Sequence, residues 1–79
     1  MNKKQFLAKV TGAKQLKIYN ANTLQLHKQI MTEGLILDNP KIENGVLSVS
    51  VKVNNKIYLE QYKLPLFSSI GLTEKTSDQ

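Results

Sequence analysis

One stretch, Val46–Leu64, constrains the fold of this chain more than any other. It reads VLSVSVKV, then Asn54-Asn55, then KIYLEQYKL. In its first half, valine or leucine alternates with serine or lysine, which is the period-two pattern of a strand with one buried face. Asparagine tolerates the positive φ that tight hairpin turns require, so the two asparagines suit a two-residue turn. The stretch therefore predicts a β-hairpin.

Two registers of this hairpin fit the sequence, and they differ in which face is apolar. A two-residue turn places Tyr58 opposite Val51 and leaves apolar side chains on both faces, because Ile57 and Leu59 then share the serine face. A three-residue loop places Leu59 opposite Val51 instead and gives one purely aliphatic face. Because a slip of one residue exchanges the faces of a strand, the register decides whether the second face needs cover.

The main helix is predicted between residues 22 and 33. Asn22 suits an N-cap position, and Gly34 suits the position just after a helix end. At 100° per residue, one arc of this segment carries Leu24, Leu26, His27, Ile30 and Met31. A strand is the alternative, since Leu24 and Leu26 also alternate with polar residues, but that alternation breaks at Lys28. We therefore expect a helix.

These elements predict a small α+β domain. Its antiparallel sheet is centred on the hairpin at 46–64, is joined by a strand at Gln15–Asn20 and includes a short strand at Leu35–Asp38. The helix at about 22–33 packs on one face of this sheet. The alternative fold is an all-β meander or a small barrel.

The length and the termini limit what else the chain can contain. Its 79 residues suffice for one small domain, which we expect over residues 1–72, and the polar residues 73–79 predict a disordered tail. Near the start, Lys3–Thr11 fits a short helix, which we expect, or a strand. With no cysteine, no apolar run of about 20 residues and no signal peptide, we expect a cytoplasmic protein that does not enter a membrane.

Positive charge is concentrated at the beginning of the chain. The formal net charge is +5, yet the first acidic residue is Glu33. Six lysines precede it: Lys3, Lys4, Lys9, Lys14, Lys17 and Lys28. Such asymmetry indicates an anionic partner. All eleven basic residues are lysine, and because arginine is the side chain suited to bidentate base reading, its absence argues against sequence-specific recognition of DNA.

No catalytic or metal-binding constellation is recognisable in the sequence. His27 is the single histidine, cysteine is absent, and the four glycines stand alone. Nucleophilic catalysis needs a base beside the nucleophile, a metal site needs three or four ligands, and a phosphate loop needs clustered glycines. We therefore expect a protein that is not an enzyme and that has no cofactor.

Two binding functions remain. The first is association with a protein partner or with a second copy, since the hairpin and the segment before the tail together carry surplus apolar surface. The residues nominated for this contact are Leu66, Phe67, Ile70 and Leu72. The alternative is nucleic-acid binding without sequence preference by the six early lysines, with Tyr58 and Tyr62 as stacking side chains. The abundance of lysine, asparagine and isoleucine is expected of AT-rich coding and would suit a bacterial or phage accessory protein.

One local resemblance accompanies these patterns. Ile42–Val51, IENGVLSVSV, is similar to the late strand of the α-crystallin-type small heat-shock domain, and Ile70-Gly71-Leu72 resembles the tail motif of that family. The chain is too short for that domain, and the hairpin that follows Val51 is out of place for it. The similarity is that of a common strand pattern, and it does not assign the family.

Overall fold

The computed structural model describes residues 5–75, and these residues form an all-β fold in which 66% of positions lie in strands. The eight strands are β1 (Phe6–Gly12), β2 (Gln15–Asn20), β3 (Leu26–Met31), β4 (Leu35–Ile36), β5 (Lys41–Glu43), β6 (Val46–Val53), β7 (Lys56–Lys63) and β8 (Ser68–Glu74). Within residues 5–75 no helical segment is present that could cross a membrane.

The strands form two antiparallel sheets. Sheet 1 has the order β1-β2-β3, so it is a simple meander. Sheet 2 has the order β4-β6-β7-β8, and β5 also pairs with β6. The two short strands share one edge of β6, because β4 pairs with its end at Val51 and Lys52 while β5 pairs with its beginning at Val46–Ser48.

The two sheets face each other across one hydrophobic core. Sheet 1 contributes Leu16 and Ile18, which are completely buried, and β6 contributes Leu47, Val49 and Val51. Ile30, Tyr62 and Phe67 complete the core. We call the sides of the sheets that meet there their inner faces and the opposite sides their outer faces.

The hairpin predicted from Val46–Leu64 is confirmed as β6 and β7, and its register is the one with a two-residue turn. Asn54 and Asn55 both have positive φ, 51° and 67°, as a type I′ turn requires. Tyr58 lies opposite Val51 on the inner face. Ile57 and Leu59 therefore share the outer face with the serines, so sheet 2 is apolar on both sides.

The predicted α+β fold is wrong, because no helix exists at 22–33. This segment is a loop followed by β3, Leu26–Met31, which pairs with β2. The all-β alternative fits the structure instead. The asparagine that matters locally is Asn20 rather than Asn22: its side-chain oxygen accepts hydrogen bonds from the backbone N–H groups of Asn22 and Thr23, 2.8 and 3.0 Å long. These bonds close a turn, which is the non-helical use of asparagine.

A β-bulge explains why β3 resembles a helix in sequence. Lys28 pairs with Ile18 but Leu26 pairs with Tyr19, so His27 is an extra residue in the ladder. A bulge shifts the alternation by one position, and the apolar residues on its two sides then no longer follow period two. Lys28 then lies opposite Ile18 at an inner-face position, where strands usually carry an apolar residue.

The two ends of the described chain also differ from expectation. The helix expected within Lys3–Thr11 is wrong, because residues 6–11 belong to β1. The strand at Gln15–Asn20 is confirmed as β2, but its predicted place beside the 46–64 hairpin is wrong, because β2 lies in sheet 1 and the hairpin in sheet 2. At the other end, Pro65 follows β7 within a four-residue turn, and β8 then returns along β7. The predicted tail, 73–79, begins inside β8, and its residues 76–79 lie outside the described residues.

Candidate interaction surfaces

The outer face of sheet 1 is an open surface that combines lysine, tyrosine and aliphatic side chains. Cross-strand partners share a face, so the pairing defines its rows. One row is Leu7, Tyr19 and Leu26; the next is Lys9, Lys17 and Gln29; and the last pair is Gln15 and Met31. Leu7 and Leu26 are each about half exposed, at 50% and 53%. Within residues 5–75, no fourth strand joins sheet 1.

The electrostatics of this surface are one-sided. Lys9 lies directly opposite Lys17, a like-charge pair that destabilises a sheet. No acidic residue occurs in sheet 1, since the first in the chain is Glu33. Among the described residues, the one side-chain ion pair joins Lys56 and Glu74 in sheet 2. Neither lysine of the cross-strand pair is therefore neutralised by a carboxylate within the described chain.

The other early lysines within the described residues, Lys14 and Lys28, lie apart from this pair. Lys14 lies in the exposed turn between β1 and β2. Lys28 lies on the inner side of β3, and its ammonium group donates a 2.8 Å hydrogen bond to the carbonyl oxygen of Leu66. Lys3 and Lys4 lie outside the described residues. Of the four nominated lysines within residues 5–75, the structure thus brings together two, Lys9 and Lys17.

The two nominated tyrosines occupy inner-face positions on β7. Tyr62 is buried in the core, and Tyr58 packs partly buried against it. The tyrosine on an open lysine-bearing face is Tyr19, which lies between Leu7 and Leu26. Strand alternation alone places Tyr19 on the same face as Lys17, opposite Leu16 and Ile18. The pairing of β1, β2 and β3 adds Leu7, Leu26 and Lys9 around it.

β8 and the turn before it carry the residues nominated for protein binding. Leu66, Ile70 and Leu72 are exposed, at 73%, 53% and 39%, whereas Phe67 is buried. Among residues 5–75, β8 pairs with β7 on one side only, so its other edge is open. We call this edge, with the three exposed apolar side chains, the β8 surface.

Phe67 anchors the turn between β7 and β8 to sheet 1. Its ring makes an edge contact with Phe6, with the centroids 5.2 Å apart, and lies 5.7 Å from the ring of His27. The His27 nitrogen Nε2 is 3.2 Å from the carbonyl oxygen of Pro65, a hydrogen bond in the tautomer that carries the proton on Nε2. His27 thus contributes to packing between the sheets.

The outer face of sheet 2 is covered only in part. The Asp38 carboxylate accepts a 3.2 Å hydrogen bond from the backbone N–H of Ser50, and the Lys75 ammonium group donates to the Ser50 hydroxyl. A small polar cavity of about 150 Å³ lies beside these groups. Ile57, further along β7, remains 44% exposed. The apolar surplus expected from the two-residue turn therefore exists at Ile57.

The most unusual polar group is Glu60, which is 2% exposed at the centre of the inner face. Its two carboxylate oxygens accept hydrogen bonds from the backbone N–H of Glu33, at 3.1 and 3.0 Å, and one of them also accepts from the Tyr62 hydroxyl. Burial, followed by this hydrogen bond, raises the pKa of Tyr62 above its ordinary value. The hydrogen bonds of this carboxylate therefore join β7 to the loop between β3 and β4.

Neither chemistry nor similarity points to a known family. Among residues 5–75, no three histidine, cysteine, aspartate or glutamate side chains come close enough to hold a metal ion. No protein-family model matches the chain, and no curated protein or solved structure is significantly similar to it. The surfaces described above are therefore the basis for assigning a function.

Proposed function

We propose that this protein is a non-enzymatic interaction module that binds a protein partner, or a second copy of itself, through the β8 surface. The observation that carries the proposal is the open edge of β8, which bears no charged side chain from Ser68 to Thr73. Leu66, Ile70 and Leu72 provide exposed apolar area along it.

An open, uncharged strand edge favours pairing with another strand. Its unpaired N–H and C=O groups provide affinity, and alternate side chains provide specificity. Proteins that keep an edge free usually protect it with lysine, proline or a bulge. On β8 such features are one bulge at Ile70, where the register shifts between Gln61 and Tyr62, and the charged Glu74 at the end of the strand.

The experiment separates self-association from binding of a different protein. Sedimentation velocity of the pure chain over a wide concentration range measures self-association. Cross-linking in extracts of the source cells, with the cross-linked residues identified by mass spectrometry, locates a different partner. Both measurements are repeated with Ile70→Lys/Leu72→Lys, and with Leu24→Lys as the control because Leu24 is 66% exposed in the loop between β2 and β3, outside the β8 surface.

We expect the wild-type chain to associate. The Ile70→Lys/Leu72→Lys variant should lose this association, and the Leu24→Lys variant should keep it. The physical reason is that charged side chains on an edge strand prevent edge pairing. A chain that stays monomeric and forms no cross-links through residues 66–74 would contradict the proposal, and so would association that both variants retain.

A second candidate function is nucleic-acid binding without sequence preference. The observation that favours it is the charge of sheet 1, which carries lysine and no acidic residue on any of its three strands. Electrostatic binding of this kind falls steeply with salt. Mixed-sequence DNA and RNA that fail to bind at ~50 mM salt would exclude this function.

A further inference from the structure

We propose that the outer face of sheet 1 is a binding site for single-stranded nucleic acid, in which Lys9 and Lys17 hold one backbone phosphate between them and Tyr19 stacks on a base. This inference rests on the second candidate function and gives it a site, a ligand form and a role for each side chain. It concerns a surface separate from β8.

Lys9 and Lys17 are placed to bind a phosphate group together. Cβ atoms of directly opposite residues in an antiparallel sheet are about 5 Å apart, so both ammonium groups can reach a single phosphate. In the free protein the two charges repel each other, and no carboxylate of the described chain lies within ion-pair distance to relieve them. An anion bound between them removes this repulsion, so this pair is arranged to favour an anionic ligand.

The neighbouring row, which contains Leu7, Tyr19 and Leu26, is placed to contact a base. Tyr19 follows Lys17 by two residues on the same strand, so the two side chains lie about 7 Å apart along one face. Leu7 and Leu26 flank the tyrosine and are half exposed, which gives an apolar platform as wide as the sheet. A base stacks on such a platform without regard to its identity, and this tolerance fits a chain that has no arginine for base reading.

Charge and shape also favour a single strand over a second copy or a duplex on this face. A second copy docked face to face would bring its own Lys9 and Lys17 against the same pair, with no acidic residue on either sheet to compensate. Duplex DNA keeps its base faces stacked inside the helix, so it would leave Tyr19 without a role. A single strand presents phosphates and free base faces together.

The binding experiment uses the full chain and defined probes. The probes are fluorescein-labelled oligothymidylate and oligouridylate of about 15 nucleotides, near the upper site size of a small single-strand-binding domain. Fluorescence anisotropy is measured from ~50 to ~200 mM salt, with a duplex of equal length and a poly-glutamate peptide of equal charge as competitors. For the two lysine contacts of this site, we expect the affinity to fall roughly 7-fold over this salt range.

The decisive variant is Lys9→Glu/Lys17→Glu, compared with Lys52→Glu/Lys63→Glu. The control pair makes the same charge change at exposed positions of β6 and β7 in sheet 2. We expect the Lys9→Glu/Lys17→Glu variant to bind the single strand at least about tenfold more weakly than the control variant, because it loses both lysine contacts with the phosphate.

A single substitution separates binding from folding. Lys17→Glu places an acidic residue opposite Lys9, so it converts a repelling pair into an attracting one. We expect the melting temperature to rise by about 2–4 °C while single-strand affinity falls. A residue needed only for folding would lower the melting temperature when replaced.

The stacking role is tested at Tyr19. Tyr19→Phe keeps an aromatic face and is expected to retain binding, whereas Tyr19→Ser is expected to weaken it about tenfold. Circular dichroism of each variant establishes that the sheets are intact.

Three outcomes would overturn the inference, and only the first of them also rules out nucleic-acid binding by this protein. If the wild-type chain binds neither single strand at ~50 mM salt, both the site and the second candidate function fail. If it binds but Lys9→Glu/Lys17→Glu behaves like the control pair, the function stands and this site is wrong. If poly-glutamate or the duplex competes as well as the single strand, the face is a general anion surface and the assignment of its ligand fails.

Discussion

At the scale of single residues, Glu60 shows how a polar group in the core is kept satisfied. A buried carboxylate without partners would be strongly destabilising. Here the Glu33 N–H and the Tyr62 hydroxyl both donate to it, and these two donors come from different parts of the chain. The carboxylate therefore connects the β3–β4 loop to β7 at the centre of the inner face.

Replacement of this carboxylate tests its contribution. We expect Glu60→Ala to lower the free energy of unfolding by about 3 kcal/mol, because two buried donors lose their acceptor in addition to the lost packing. Urea denaturation followed by circular dichroism measures the change. Glu74→Ala is the control, because Glu74 is exposed and its ion pair with Lys56 is a weak surface contact. Equal losses in the two variants would mean that the buried carboxylate contributes nothing of its own.

The raised pKa of Tyr62 predicts a loss of stability at alkaline pH. The unfolded chain loses this phenolic proton near the ordinary pKa of 10.0, whereas the folded chain retains it to higher pH. The stabilisation is therefore fully present below pH 10.0 and is lost as pH rises through the folded pKa, with a slope of at most about 1.4 kcal/mol per pH unit. Urea denaturation between pH 9 and 12 should show this decline, and Tyr62→Phe should remove that contribution. A variant with the same alkaline slope as the wild type would exclude Tyr62 as its origin.

At the scale of elements, the short strand β4 depends on a close approach to β6. A Cβ atom built at Gly34 would lie 2.7 Å from the Lys52 carbonyl oxygen and 2.7 Å from a methyl group of Val53. We expect Gly34→Ala to cost about 2 kcal/mol or more, since backbone must move to admit the methyl group. Gly12→Ala is the control, because the nearest atom to its added Cβ is the Gln15 Cβ at 3.3 Å, a much looser contact than the two at Gly34. Thermal denaturation compares the two, and equal melting temperatures would refute the close approach.

The elements also show which parts of the fold the sequence could predict. The β6–β7 hairpin was predictable because a long alternation and a two-asparagine turn act locally and agree with each other. β3 was not, because its bulge at His27 breaks the alternation, and bulges depend on the partner strand rather than on local sequence. β5 was missed for a related reason: its three residues are too short for a pattern, although Asn44-Gly45 after it is a strong hairpin turn.

The candidate surfaces were predictable to a different extent. The excess of early lysine is visible in the sequence, and Lys9, Lys14 and Lys17 lie in β1, β2 and the turn between them. That Lys9 opposes Lys17 depends on the register of β1 against β2, and sequence alone does not fix it because a bulge at Thr11 sets that register. Tyr19 shares the face of Lys17 by alternation within β2, which the sequence does show. Tyr62 illustrates the converse, since its neighbours suggested an exposed tyrosine but its pairing with Leu47 places it in the core.

At the scale of the whole molecule, the two sheets are stable only together. Sheet 1 has three strands, and its inner face can be buried only against sheet 2. Phe67 lies where the sheets meet, in the turn between β7 and β8, and its ring contacts Phe6 and lies close to His27. It also has a φ of 56°, a left-handed conformation that a bulky side chain adopts only when its surroundings enforce it. Burial of this ring therefore couples the turn of sheet 2 to both outer strands of sheet 1.

Removal of that ring should destabilise both sheets at once. We expect Phe67→Ala to lower the free energy of unfolding by about 3–4 kcal/mol, a large share of the stability of a small domain. Leu66→Ala, at the adjacent and 73% exposed position, should change it by less than about 0.5 kcal/mol. Circular dichroism reports on all strands, and tyrosine fluorescence reports on Tyr19 in sheet 1 and on Tyr58 and Tyr62 in sheet 2. Coincident transitions in Phe67→Ala would establish one cooperative unit, whereas a separate early transition would mean that sheet 1 unfolds by itself and that the core is not shared as described.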